Sequence, residues 1–316
     1  MALFGLGGVG KSQLAIEHAY RVRQNKAWEF WVYAETRARV EESFRAIADA
    51  VKIPGRNQPE ADILQLVYQW LQNERNDQWL MVLDSADNVD VFYSTDEGAE
   101  QTTDKAKKRA LWTYLPQSTN GSILVTTRDK SLAFQLTGSY KNIIEVGPMD
   151  PDHALALLKK KLGNQSDINA ATELVRGLEY MPLAISQAAA YIKRREPRCS
   201  TTKYLEEFRR SDQTKTSLLN YSAADLRRDR SASNSIITTW QISFDHIRLK
   251  RQSAAELLSL MSFFDRQGIP EAMIRPFNRN KTHNREENMD NDNKGPFKLT
   301  NNATHFTTRP YKLRYL

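Results

Sequence analysis

Four residues into the chain stands Gly5-Leu-Gly-Gly-Val-Gly-Lys-Ser12, which fits the pattern Gly-x4-Gly-Lys-Ser/Thr in full. Ala2-Leu-Phe4 before it reads as the end of a strand. Residues 11–24 after it read as a helix, with Leu14, Ala15, Ala19 and Val22 on one face. A glycine-rich loop between a strand and a helix is the setting in which this pattern cradles phosphate. Without Cβ atoms in the way, successive backbone N–H groups can curl around an anion, and the helix N-terminus adds its dipole. A lysine at position 11 reaches β- and γ-phosphates, and a hydroxyl at Ser12 suits Mg²⁺.

Working outward, short apolar runs alternate with helical patterns as far as residue 150. Phe30-Trp-Val-Tyr33 reads as a strand, residues 40–52 as an amphipathic helix ended by Pro54-Gly55, and residues 60–73 as a second helix. Trp79-Leu-Met-Val-Leu83, Ser122-Ile-Leu-Val-Thr126 and Asn142-Ile-Ile-Glu-Val146 are continuous apolar runs of strand length. Such runs suit parallel strands buried on both faces. Alternation of this kind predicts an α/β fold, a parallel sheet with helices on both faces.

Two of those strands end on residues with chemistry. Leu80-Met-Val-Leu-Asp84 places an acid at a strand's carboxyl end, where it can orient a metal through water. Position 85 is Ser, where a second carboxylate would polarise an attacking water, and Asp87 falls out of register for that role. Slow hydrolysis at most is therefore expected. Thr126-Thr-Arg128 places an arginine at the end of the next core strand. Open parallel sheets bind ligands at the carboxyl ends of their strands, so Arg128 can sense a γ-phosphate or can be an ordinary surface arginine.

Gly147-Pro148 interrupts the pattern, and no strand is predicted from there to about residue 275. Helices are expected over 151–162, 168–178, 182–194 and 200–210, then over 234–247, 252–264 and 270–275. Trp240, Phe244, Phe263 and Phe264 fall at core spacing in the last group. Residues 276–316 carry eight Asn and no apolar period, and read as a disordered or non-native tail.

The glycine loop, Asp84 and Thr126-Thr-Arg128, in this order, resemble the NB-ARC module of NLR-like signal-transduction ATPases (the STAND class). Gly177-Leu-Glu-Tyr-Met-Pro-Leu-Ala184 resembles that family's Gly-Leu-Pro-Leu-Ala motif with an insertion. Trp240-Gln-Ile-Ser-Phe-Asp245 and 254–270 resemble its winged-helix region as found in fungal proteins. The resemblance implies a P-loop domain over 1–147, a helical domain over 148–212, a winged-helix-like domain over 213–275 and the tail over 276–316. It implies ADP or ATP with Mg²⁺ as ligands. Gly5, Gly7, Gly8, Val9, Gly10, Lys11, Ser12 and Gln13 would hold phosphates, Ser12 and Asp84 would serve the metal, and Lys11, Asp84 and Arg128 would carry any hydrolysis. Pro182 would pack near the adenine, a role compatible with its plainer one as first residue of a helix. The family's Met-His-Asp element has no match, and the segment that helps cover the adenine, the effector and the repeat sensor are expected to be missing, as in a chain truncated at both ends.

Composition narrows the alternatives. With 40% apolar and 26% charged residues the chain is neither disordered nor membrane-spanning in character, and the opening residues lack the basic flank of a signal peptide. Cys199 is the single cysteine, so an internal disulfide and a cysteine-cluster zinc site are excluded, and a reducing compartment, the cytoplasm, is expected. The net charge of +7 is concentrated. Residues 193–230 hold eleven Lys/Arg against six Asp/Glu, and residues 275–316 hold nine against four. A nucleotide-dependent switch that self-associates with ATP is the expected function. The alternatives are a STAND-type nucleic-acid-binding regulator, for which no basic recognition helix is visible, a small-molecule kinase, and an inactive truncated fragment.

Overall fold

A computed structural model describes residues 1–23, 27–94, 109–163, 167–220 and 251–262, with isolated positions between 237 and 249. The chain divides into two compact units, Met1–Thr239 and Trp240–Leu316.

The first unit opens with five parallel strands: β1 (Ala2–Phe4), β2 (Trp28–Tyr33), β3 (Trp79–Asp84), β4 (Gly121–Thr127) and β5 (Ile143–Glu145). Their spatial order is β2-β3-β4-β1-β5. Strand β1, three residues long, is bonded on both sides, with Phe4 opposite Thr127 of β4 and Glu145 of β5. All six residues of β3 are buried, and the period-two pleat sends them alternately to the two faces of the sheet. Trp79, Met81 and Leu83 face one layer with Val32, Val125, Phe44 of helix α2 (Arg37–Ala50) and Val67 of α3 (Ile63–Gln72). Leu80 and Val82 face the other with Leu3, Leu124, and Ala15 and Ala19 of α1 (Lys11–Arg23). Helices therefore cover both faces, as the alternation predicts. Each large apolar side chain buried this way contributes about 1.5–3 kcal/mol.

Local chemistry fixes the helix ends. Helix α2 begins three residues earlier than its apolar period suggests, because the Thr36 side chain accepts from the Arg39 amide and caps it there. Helix α3 begins three residues later, at an Asp62 cap that accepts from Gln65. Two short helices, α4 (Val89–Tyr93) and α5 (Lys130–Thr137), were not predicted. At five and eight residues they are too short for a helical period to stand out.

A helical bundle follows: α6 (Pro151–Leu162), α7 (Ile168–Gly177), α8 (Pro182–Arg194), α9 (Thr201–Arg210) and the unpredicted α10 (Asp212–Leu219). Leu158, Leu174, Ile185 and Tyr204 are buried at its centre. Between α7 and α8, Glu179 and Tyr180 both adopt left-handed conformations, with φ of 55° and 57°. The Tyr180 amide donates to Val175 O at 3.0 Å, and its carbonyl accepts from the Met149 amide at 3.0 Å. This turn is what the insertion in the Gly-Leu-Pro-Leu-Ala-like motif becomes.

In the second unit, Gln252–Met261 is helical and its Ala255 is buried, while Phe244 is half-buried. Trp240, Phe263, Phe264, most of the expected winged-helix region and the tail over 276–316 lie outside the described residues. Among the described residues no helix is long and apolar enough to cross a membrane.

Candidate functional site

Because β3, β4 and β1 are adjacent and parallel, their carboxyl ends lie along one edge of the sheet. Asp84 ends β3, Arg128 follows β4 directly, and the glycine loop leaves β1. Two residues and a loop that are far apart in sequence are thereby brought to the place where such sheets bind ligands.

The loop is anchored at its start, where the Gly5 amide donates to Thr127 O at 3.2 Å. A Cβ on Gly5 would stand 2.2 Å from the Val146 carbonyl oxygen, so no side chain fits there. Gly8 has φ +87°, which L-residues rarely adopt, and a Cβ on it would meet Leu183 at 3.1 Å. Gly7 and Val9 are buried, and Gly10 is half-buried.

Lys11 opens α1 and folds back over this loop. Its Nζ donates to the carbonyls of Gly5 at 2.8 Å and Leu6 at 3.0 Å. Only 9% of the residue is exposed. Burial pushes its ammonium down to about 8, Asp87 opposes that shift, Arg128 adds to it, and Asp84 opposes it. An ammonium buried beside carbonyl oxygens still lacks a full counter-charge, and an anion entering the loop would supply one. Ser12, one residue on, donates through Oγ to Asp84 Oδ1 at 2.7 Å. Gln13, in the same helical turn, is half-buried.

Asp84 is 8% exposed and accepts a second hydroxyl on the same oxygen, from Thr126 Oγ1 at 2.6 Å. Ser12 and Asp84 place a hydroxyl and a carboxylate, both hard oxygen donors, side by side at the mouth of the loop. That set fits Mg²⁺, which is held by one or two protein oxygens and completes its octahedron with phosphates and water. Among the described residues no group of three or more His, Cys, Asp and Glu is placed to hold a metal by itself.

Arg128 pairs through Nε with Asp87 Oδ2 at 3.2 Å, and its backbone amide donates to Asp87 Oδ1 at 2.7 Å. Asp87 thus belongs to this cluster, although counting along the strand leaves it out of register. Thr126 and Leu183 are further residues that sequence reasoning passed over. Thr126 lay in plain view in Thr-Thr-Arg but offers no signal that its hydroxyl binds Asp84. Leu183 donates its amide to Gly8 O at 3.2 Å. Pro182, half-buried, occupies the first position of α8 next to it. Helix α8 has Met181 at its N-cap and no side-chain cap, so the loop carbonyl serves as acceptor for one of its free amides.

A parallel sheet with this loop between an interior strand, β1, and the first helix defines a P-loop NTPase fold. A family model described as the NB-ARC domain matches residues 1–168. A nucleotide-binding leucine-rich repeat (NLR)-like protein of the fungus Hyaloscypha variabilis is 36% identical over 284 residues, which are 87% of this chain and 28% of that protein. The chain belongs to the NB-ARC family, and nucleotide binding goes with that membership. It spans little more than a quarter of the length of this relative, 28%. Among solved structures, a Walker-type ATPase of Pyrococcus abyssi matches at 14% identity and a TM-score of 0.49, over 83% of this chain and 74% of that one. A signal-transduction ATPase with numerous domains and a tetratricopeptide-repeat sensor, from Pyrococcus horikoshii, matches at 14% identity and 0.38, over 84% and 32%.

Proposed function

We propose that this chain is the nucleotide-operated switch of an NLR-like signalling ATPase, with a P-loop domain over 1–147 and a helical domain over 148–212. ADP holds the two together, and exchange for ATP loosens them and favours self-association. The observation that carries this is the Leu183–Gly8 hydrogen bond. It makes the loop that would take phosphate also the cap of a helix in the second domain, so that filling the loop and docking the helix act on the same backbone. A ligand shifts such an equilibrium only by contacting its two states differently, and a group shared between loop and helix supplies that difference.

The roles follow from the positions. Lys11 exchanges its two carbonyl partners for phosphate oxygens. Ser12 and Asp84 hold Mg²⁺, which when bound neutralises phosphate charge. Arg128 faces the γ-phosphate, and Pro182 packs near the base. Ser85, in place of a second acid, leaves hydrolysis slow. A cytoplasmic setting suits a chain with Cys199 as its single cysteine.

The test is to denature the purified chain and identify released nucleotide, with Lys11→Ala alongside. ADP released from the wild type and not from the variant is the expected result. A wild type that carries nothing and also fails to bind added Mg·ADP or Mg·ATP overturns the proposal.

A further inference from the structure

Asp87 and Arg128 are joined by an arrangement that neither strand provides alone. After β3 the chain turns sharply at Ser85, whose φ is +60°. Residue types other than glycine rarely hold that conformation unless their surroundings impose it. Here the neighbouring strand does so. The Ser85 amide donates to Thr126 Oγ1 at 2.9 Å, the Ala86 amide to Thr126 O at 2.9 Å, and the Asp87 amide back to Ser85 O at 2.9 Å. The turn is thus stapled to β4 two residues before Arg128, and it delivers one carboxylate to both ends of that arginine. Oδ1 accepts from its backbone amide and Oδ2 from its Nε. The Arg128 and Asp87 side chains are 25% and 30% exposed, so solvent screens the pair less than it would a surface pair.

Both charges also act on Lys11. Asp87 raises its affinity for a proton and Arg128 lowers it, which places the three groups within one electrostatic neighbourhood at the loop. On the roles proposed above, a nucleoside diphosphate in the loop would meet Lys11 alone of these. A triphosphate would extend a further negative group toward Arg128, whose guanidinium is already held by Asp87.

We propose that Asp87 is a specificity-determining residue of the nucleotide site, which disfavours a nucleoside triphosphate relative to the diphosphate by occupying the Arg128 guanidinium. The inference rests on the switch function above and adds to it what keeps the resting state resting. Asp87 acts through Arg128 and is a positioning residue, with no part in bond breaking.

The experiment is calorimetric titration of the purified full chain with Mg·ADP and with a non-hydrolysable Mg·ATP analogue, for the wild type, Asp87→Asn, Arg128→Ala and the double variant. Freeing the Arg128 guanidinium from its charge-assisted bond gives roughly a tenfold gain in analogue affinity for Asp87→Asn, with ADP affinity changing less than about twofold. The gain disappears when Arg128 is alanine, which a merely structural role for Asp87 does not produce. Equal changes for both nucleotides, a selective loss for the analogue, or a gain that persists without Arg128 overturns the inference while leaving the switch in place. A wild type that binds neither nucleotide overturns both. A second measurement is made on the wild type and depends on no Asp87 variant: the ¹⁵Nε–H resonance of Arg128, assigned by its loss in Arg128→Lys, moves on adding the analogue and stays in place with ADP. Equal movement with both is the overturning result.

Discussion

The Leu183 amide donates to the Gly8 carbonyl at 3.2 Å, which ties the first turn of α8 to the phosphate loop. The two residues lie 175 positions apart in the chain. Nothing in the apolar pattern of either segment pairs them. The bond exists because α8 lacks a side-chain cap and because Gly8, at φ +87°, turns its peptide toward the helix.

Gly8→Ala strikes both features. Its methyl group forces an unfavourable φ and approaches Leu183 at 3.1 Å. We expect a loss of about 1–3 kcal/mol in stability, measured by urea unfolding of nucleotide-free protein. Nucleotide affinity falls as well, whereas a substitution at exposed Leu14 leaves both unchanged.

Lys11 makes nucleotide affinity depend on pH. Its proton affinity in the free protein is depressed to about 8 by burial, so above that pH the loop loses its positive charge before an anion arrives. Affinity for Mg·ADP should fall as pH rises through about 8 and should be flat there in Lys11→Met. The sign for stability is opposite. The unfolded lysine, titrating near 10.5, holds more protons than the folded one between about 8 and 10.5. Nucleotide-free wild type therefore gains stability relative to Lys11→Met as pH climbs through that window, and the full burial cost is felt below it. Melting temperatures of the two proteins across the window check this.

Asp84 accepts both the Ser12 and Thr126 hydroxyls on Oδ1. Asp84→Ala leaves the buried Thr126 hydroxyl without this acceptor, at a cost of about 1–3 kcal/mol. If the carboxylate serves Mg²⁺, the variant loses most of the difference in nucleotide affinity between magnesium and excess chelator. Titrations under the two conditions separate that loss from general destabilisation.

Gly121 offers a control remote from the loop. A Cβ there would lie 2.0 Å from the Trp79 ring, which is pinned by its Nε1 donating to Leu71 O at 3.0 Å. Gly121→Ala should destabilise by about 1–3 kcal/mol through overpacking, with nucleotide affinity of the folded fraction unchanged.

Much of the fold was legible in the sequence. Continuous apolar runs mark β3 and β4 because the middle of a parallel strand buried on both faces is filled with apolar side chains, polar ones entering at its ends only with a hydrogen-bond partner. The glycine loop marks itself, because curled backbone amides and a following lysine require those residue types at that spacing. Helices α4, α5 and α10 were not legible, since five to eight residues with a cap on an ordinary Asp, Asn or Ser do not rise above the background of turns.

Sequence alone thus determined which chemistry the chain carries and which elements hold it, since both depend on residue type and local period. Tertiary structure alone decided who touches whom at the sheet edge. Strand order brings Asp84, the loop and Arg128 together. The left-handed turn at Ser85 swings Asp87 from a position that linear counting discards onto the arginine. Such contacts join segments whose separation in sequence carries no period, and their geometry is set by how neighbouring strands and helices pack.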